Sequence, residues 1–445
     1  MASRLIRRAD MNLKISRKNK EIMGIMLIFS IFFLIGGVGT AESTQAMLDG
    51  LRTIVTSPAQ LTCDYFALAG MGATYFNAGL VGLACIVVLL LSGIQMNGLS
   101  LMAFFLTTGF SFFGMNILNI WPCILGTLVF SFVDRTPFKN HVNIALFATS
   151  LSPFVSEGIF RHPAFDTWPS KIAFGITLGV IGGFLLPILC KHAPSLHKGY
   201  SLYNAAAVSG FIGILLLSFM YRATGFEIPT NTLIGESHFS VVPTFSAMMA
   251  LTLVIYGYFI NGKSFDGYSE LLTQTGYQCD YTAKFNVGLT AANIAFVGLC
   301  ATLYYLLIGA GMTGPTMGCI ICLMAVAPCG ANVVNVVPIM LGYMLSSTFA
   351  AFQLTTPATI VGICFAAAMA PISGRFGLPC GIVAGLLHAC MVTTVVTFHQ
   401  GFCLYNGGFT CAVTCIILVP ILEHFFEPGD HLRLWPKLKS KDPAV

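Results

Sequence analysis

No charged side chain occurs between Tyr65 and Val133, and Arg375 is the only one between Phe285 and Leu422. A soluble domain needs charges spread along its chain to keep its surface wet. Stretches this long without them belong in lipid, or in protein surrounded by lipid. The whole chain is 56% hydrophobic and 9% charged, with a mean hydropathy of +0.82, which excludes a soluble globular protein of this length. The net charge of +5 is not a nucleic-acid signal. It gathers at the ends: Arg4, Arg7, Arg8, Lys14, Arg17, Lys18 and Lys20, then Arg433, Lys437, Lys439 and Lys441. Both termini are therefore expected on the cytoplasmic side of the cell (inner) membrane, with the lipid bilayer as the main partner.

The chain repeats itself. Gly114-x-Asn116-x-x-Asn119-x-x-Pro122 returns as Gly330-x-Asn332-x-x-Asn335-x-x-Pro338, and Cys63-Asp64-Tyr65 as Cys279-Asp280-Tyr281, both at an offset of 216 residues. His197-x-Gly199-Tyr200-x-Leu202-Tyr203-Asn204 returns as His399-x-Gly401-Phe402-x-Leu404-Tyr405-Asn406 at 202. Phe76-Asn77-x-Gly79-Leu80 pairs with Phe285-Asn286-x-Gly288-Leu289 at 209. A duplicated apolar chain with matched polar breaks is the usual build of membrane transporters and channels.

The expected architecture is an all-α integral membrane protein of two homologous halves, with about 12–14 transmembrane helices and broken or re-entrant segments. The divisions are a basic tail (1–21), a first repeat (22–221), a linker (222–239, with Pro229, Asn231 and Gly235), a second repeat (240–424) and a second basic tail (425–445). Residues 1–42 resemble a cleavable signal, but the apolar run is long for one and reads better as a retained first span. Thr62–Tyr75 is Gly-rich and suits a re-entrant segment. Leu99–Val133 is 35 uncharged residues, too long for one crossing of about 20, so it folds back near Gly114–Pro122. Seven crossings per half make the halves inverted, and six make them parallel. Seven keeps Lys191 and Lys198 on the cytoplasmic side.

Asn116 with Asn119, and Asn332 with Asn335, each share a helix face. They suit either interhelical packing bonds or a polar path for a neutral solute where inverted copies converge. Asn77 and Asn286, with Gly79 and Gly288, read as helix caps or as re-entrant tips, Phe76 and Phe285 then forming facing walls. Pro122 and Pro338 mark the breaks. Tyr203, Asn204, Tyr405 and Asn406 suit interface anchors and caps. Asp64 and Asp280 are the only repeated carboxylates and read as interfacial anchors or coupling-ion ligands. His388 reads as a packing residue. Gly257–Ser264 matches a phosphate-loop pattern but lacks its strand and its acidic partner. The fifteen cysteines lie mostly in apolar runs, and no spacing suggests zinc. No cofactor or metal is expected, and no catalytic constellation joins the histidines.

With its doubled HxG[YF]xLYN motifs, the chain resembles an uncharacterised bacterial membrane family, domain of unknown function 1576, over nearly its whole length. The two Phe-Asn-x-Gly-Leu segments, Gly114-Met115-Asn116 and Ser150-Leu151-Ser152-Pro153 are similar to segments of urea channels. That resemblance implies inverted halves and a urea-like or amide-like solute. The leading expectation is a channel or facilitative transporter for a small neutral polar solute, an architecture compatible with a homo-oligomer. The alternatives are an ion-coupled transporter, a non-transporting structural subunit and an intramembrane enzyme.

Overall fold

The computed structural model describes residues 15–439 apart from 59, 61–62 and 230–231. Arg4, Arg7, Arg8, Lys14, Thr62, Asn231 and Lys441 lie outside the described residues. The first half runs α1 (Arg17–Thr40), α2 (Thr44–Thr56), α3 (Tyr65–Ser92), α4 (Gly98–Phe110), α5 (Ile120–Val133), α6 (Val142–Ala148), α7 (Ser152–Phe160), α8 (Trp168–Cys190), α9 (Ala193–His197) and α10 (Asn204–Leu217). The second runs α11 (Val241–Ile260), α12 (Tyr268–Leu272), α13 (Tyr281–Lys284), α14 (Val287–Leu307), α15 (Gly314–Met324), α16 (Val333–Ser346), α17 (Pro357–Ala366), α18 (Ala370–Phe376), α19 (Leu378–His399) and α20 (Asn406–Phe425). Ten helical segments of the described residues are long and apolar enough to cross a membrane, and four more apolar helices are shorter. Among these residues the only β pairings are isolated bridges, Cys63 with Leu233 and Phe426 with Leu438.

Contacts fix the direction of each helix. Asn19, near the start of α1, donates to the Ile94 carbonyl just past α3. Ala41, past the other end of α1, lies against Gly72. The two helices are therefore antiparallel. The Tyr256 hydroxyl, late in α11, donates to the Glu21 carbonyl at 2.8 Å, and Phe245, early in α11, packs on Gly36. So α11 starts on the face where α1 ends. The first half crosses an odd number of times, and the second half is inverted with respect to it. The face where α1 starts also holds Lys18, Lys20, Arg135, Lys139, Lys191, Lys198, Arg375 and the last described residues; we call it the basic face.

The charge-free run folds back where the sequence placed the break. The helices α4 and α5 have 13 and 14 residues. At 1.5 Å per residue each is roughly 20 Å long, short of the hydrocarbon thickness. They are joined through Gly114, whose φ of +76° suits glycine best. The second copy turns at Gly330 with a φ of +126°. Gly93 and Gly309, 216 residues apart, both take φ +68° just after α3 and α14.

One expectation is corrected here. Thr62–Tyr75 is not a re-entrant segment: from Tyr65 onward it is the first part of α3, kinked at Gly70 (φ +81°). The equivalent break in the second half separates α13 from α14 at Phe285 and Asn286.

Candidate functional site

The two Asn-x-x-Asn motifs do not meet. Because α4 and α15 pack antiparallel, with Gly98 beside Pro328 and Gly314 beside Phe112, their breaks point to opposite faces. Each motif is sealed by its own neighbours. Asn116 Oδ1 accepts from the amides of Leu118 and Asn119, both at 2.9 Å, and its Nδ2 donates to the Ile54 carbonyl. Asn119 Oδ1 accepts from the Asn116 amide, and its Nδ2 donates to the Gly114 carbonyl and to Ser156 Oγ. Asn332 and Asn335 repeat the pattern, donating to Leu271, Tyr281 and Gly330. These buried amides terminate broken helices, and each donates to the protein around it. Pro122 packs on Gly179, and Pro338 on Gly381.

The Phe-Asn pairing was out of register. Asn77 sits inside α3, fully buried, and donates to the carbonyls of Ser111 (3.0 Å) and Met115 (3.2 Å). In the second half the same bonds, to Ala327 (3.0 Å) and Ala331 (2.8 Å), come from Asn293. Asn286 instead caps α14 and is the positional counterpart of Gly70. Phe76 packs beside Gly37, whereas Phe285 packs on Tyr281 near Arg17 and Lys18, so the two rings do not face each other. Gly79 admits Leu34, and Gly288 admits Gly257, which lies in α11 and not in a phosphate loop.

Asp64 and Asp280 are inter-half clasps. Asp64 caps α3 through Phe66 and accepts from the amides of Gly235 (2.9 Å) and Gly314 (3.2 Å). Burial pushes its carboxyl upward, and the Phe66, Gly235 and Gly314 amides pull it back. Asp280 caps α13 and accepts from the Gly98 amide at 3.3 Å. Carboxylates ringed by N–H donors are poorly arranged for a cation.

The residues read as interface anchors gather at the centre. The helices α10 and α20 run antiparallel, and Ala206 touches Gly408, its own equivalent 202 residues on. That contact lies on the pseudo-twofold axis between the halves. Tyr203 and Tyr405 flank it with ring centroids 6.3 Å apart. The Tyr203 hydroxyl donates to the Cys322 carbonyl at 3.0 Å. The Tyr405 hydroxyl has no hydrogen-bond partner among the described residues, although the side chain is 1% exposed.

Beside this pair lies a cavity of about 230 Å³, lined among others by Met102, Asn143, Phe147, Tyr203, Asn204 and Tyr405. No charged side chain lines it. Asn140 and Asn204, both exposed, stand at its rim on the basic face, Asn140 just before α6 and Asn204 at the start of α10. Asn143 makes no hydrogen bond with the described protein, and its Oδ1 is buried. A buried carbonyl oxygen left this way costs about 1–3 kcal/mol unless something else pairs with it.

Toward the opposite face the arrangement is closed. Asn406, the equivalent of Asn204, is buried and bonded to His399 Nδ1 at 2.9 Å, while His399 Nε2 reaches the Gly210 carbonyl at 3.0 Å. The pocket at the repeat-equivalent position there, beside Pro315 and Pro357, is about 80 Å³. His388 is held between Tyr343 and the Gly407 carbonyl as a packing residue. Glu157 is a buried carboxylate that no repeat signalled; it pairs with Arg161 and Tyr221. Among the described residues no group of three His, Cys, Asp or Glu side chains is placed to hold a metal ion.

Residues 43–222 and 260–424 match the family described as "Protein of unknown function (DUF1576)", one region in each half. No curated protein and no solved structure matches the chain, so the urea-channel resemblance has no support there.

Proposed function

We propose that the chain, which belongs to the DUF1576 family, is a membrane carrier for a small, neutral, polar solute. The observation that supports this reading most is the uncharged cavity at Tyr203 and Tyr405, beside the axis relating two inverted halves. Transporters of inverted repeats hold their solutes at such interfaces, near mid-depth. A cavity reached from one face and closed toward the other by His399 and Asn406 suits a carrier better than an open channel. Asp64 and Asp280 are occupied by amide donors, which argues against ion coupling through them. The cations of the basic face support a cytoplasmic orientation for that face in a cell membrane. The reading involves no enzymatic step, nucleic acid or cofactor.

The test is flux of urea, acetamide and glycerol into proteoliposomes of the purified full chain, followed by stopped-flow light scattering. Saturable flux that ignores sodium and proton gradients supports the carrier. Flux no faster than in protein-free vesicles for all three, or movement only with an ion gradient, overturns it.

A further inference from the structure

Among the described residues the buried asparagines are spent on the protein, and one partly buried asparagine with a buried Oδ1 is not. Asn77, Asn116, Asn119, Asn293, Asn332 and Asn335 all donate to carbonyls. The exception is Asn143. Its carboxamide pairs with nothing, so the absence of partners does not depend on which way the amide is turned. The nearly inaccessible Tyr405 hydroxyl is likewise unpaired, and both line the same cavity. The counterpart of Tyr405 is engaged: Tyr203 bonds to the Cys322 carbonyl.

Resting on the carrier reading of this cavity, we infer that its solute is a small flat carboxamide, with an N–H donor beside a C=O acceptor. A carboxamide offers a donor and an acceptor side by side, and its natural complement is another such edge. Tyr405 adds one more donor for the same carbonyl. Phe147, Tyr203 and Tyr405 supply aromatic walls for a planar group. An ion finds no countercharge among the lining residues. An apolar solute leaves Asn143 and Tyr405 unpaired. A polyol lacks the planar edge.

Binding to the detergent-purified full chain tests this without reference to transport. Nicotinamide is the probe; nicotinate is its charged isostere, and glycerol the polyol. Calorimetric titration is expected to show nicotinamide at least about tenfold tighter than either. Asn143→Leu is expected to weaken nicotinamide about tenfold or more, and Tyr405→Phe by several-fold. Tyr405→Phe removes a hydroxyl that the fold does not use, so it remains informative if Asn143→Leu fails to fold. Equal affinity for glycerol or nicotinate, or a Tyr405→Phe affinity equal to wild type, overturns the inference. Specific nicotinamide binding without flux in proteoliposomes overturns the carrier reading alone; flux without amide preference overturns the inference alone.

Discussion

Asp64 and Gly314 belong to different halves, yet the Asp64 carboxylate accepts from the Gly314 amide at 3.2 Å. The same step of 216 residues carries Asp64 to Asp280 and Gly98 to Gly314, and Asp280 accepts from Gly98 at 3.3 Å. Each half thus caps a helix start of the other. A Cβ on Gly314 would stand 2.4 Å from Asp64 Oδ1, so only glycine lets the carboxylate this close. Asp64→Ala strands buried amides and is expected to cost about 1–3 kcal/mol. Thermal unfolding in detergent checks this, and an unchanged midpoint contradicts the clasp.

The asparagine motifs are structural in this account. Asn332→Ala removes a cap and its reciprocal bonds, an expected loss of about 1–2 kcal/mol. Properly folded Asn332→Ala protein is expected to retain solute flux per molecule. Flux abolished at unchanged thermal stability would restore these amides to a solute path.

Register separates Asn293 from Asn286. Asn293→Ala breaks two buried bonds and is expected to destabilise by about 2 kcal/mol or more. Asn286→Ala, at a partly exposed cap, is expected to cost about 1 kcal/mol or less. Denaturation of the two variants side by side decides the matter, and the reverse order contradicts the register.

The doubling, the charge-free spans and the break at Gly114–Pro122 were legible because lipid forces them: charge is excluded, and a break needs glycine, proline and capping amides. The Asn77 register is masked in the sequence because Phe285-Asn286 copies the letters of Phe76-Asn77 without its position. The corrective signal was present. Cys63 and Gly114 both recur at 216, which leaves no room for an insertion between them and assigns Asn77 to Asn293. Asn143 could not be found from repeats, since its significance lies in lacking a partner. The convergence of Tyr203 and Tyr405 depends on how the halves dock, which no local pattern carries.

The paired tyrosines differ in their hydroxyls. Tyr203→Phe loses a buried bond to Cys322 and is expected to lower stability by about 1 kcal/mol. Tyr405→Phe loses none and is expected to leave the unfolding midpoint within error of wild type while weakening the solute. Equal midpoints for the two variants would contradict the assignment.

His197, in α9 outside the spans, is pushed down to about 4 by burial, and its Nε2 has no hydrogen-bond partner. A depressed histidine favours the neutral form in the folded state. Its contribution is therefore full above the unfolded value near 6.5 and is lost as pH falls from there toward 4. The loss is about 3 kcal/mol at most. Midpoints measured between pH 7.5 and 4.5 are expected to fall more steeply for wild type than for His197→Gln; parallel curves contradict this.

The most direct test is to fill the cavity. Asn204 stands exposed at its rim, so Asn204→Trp can occupy the space, giving up only the Asn204 side-chain bond to His197. With nicotinamide uptake into proteoliposomes as the readout, Asn204→Trp is expected to fold, losing about 1 kcal/mol or less with its bond to His197, and to transport at the rate of empty vesicles. Wild-type uptake by that variant would contradict a route through the Tyr203–Tyr405 cavity.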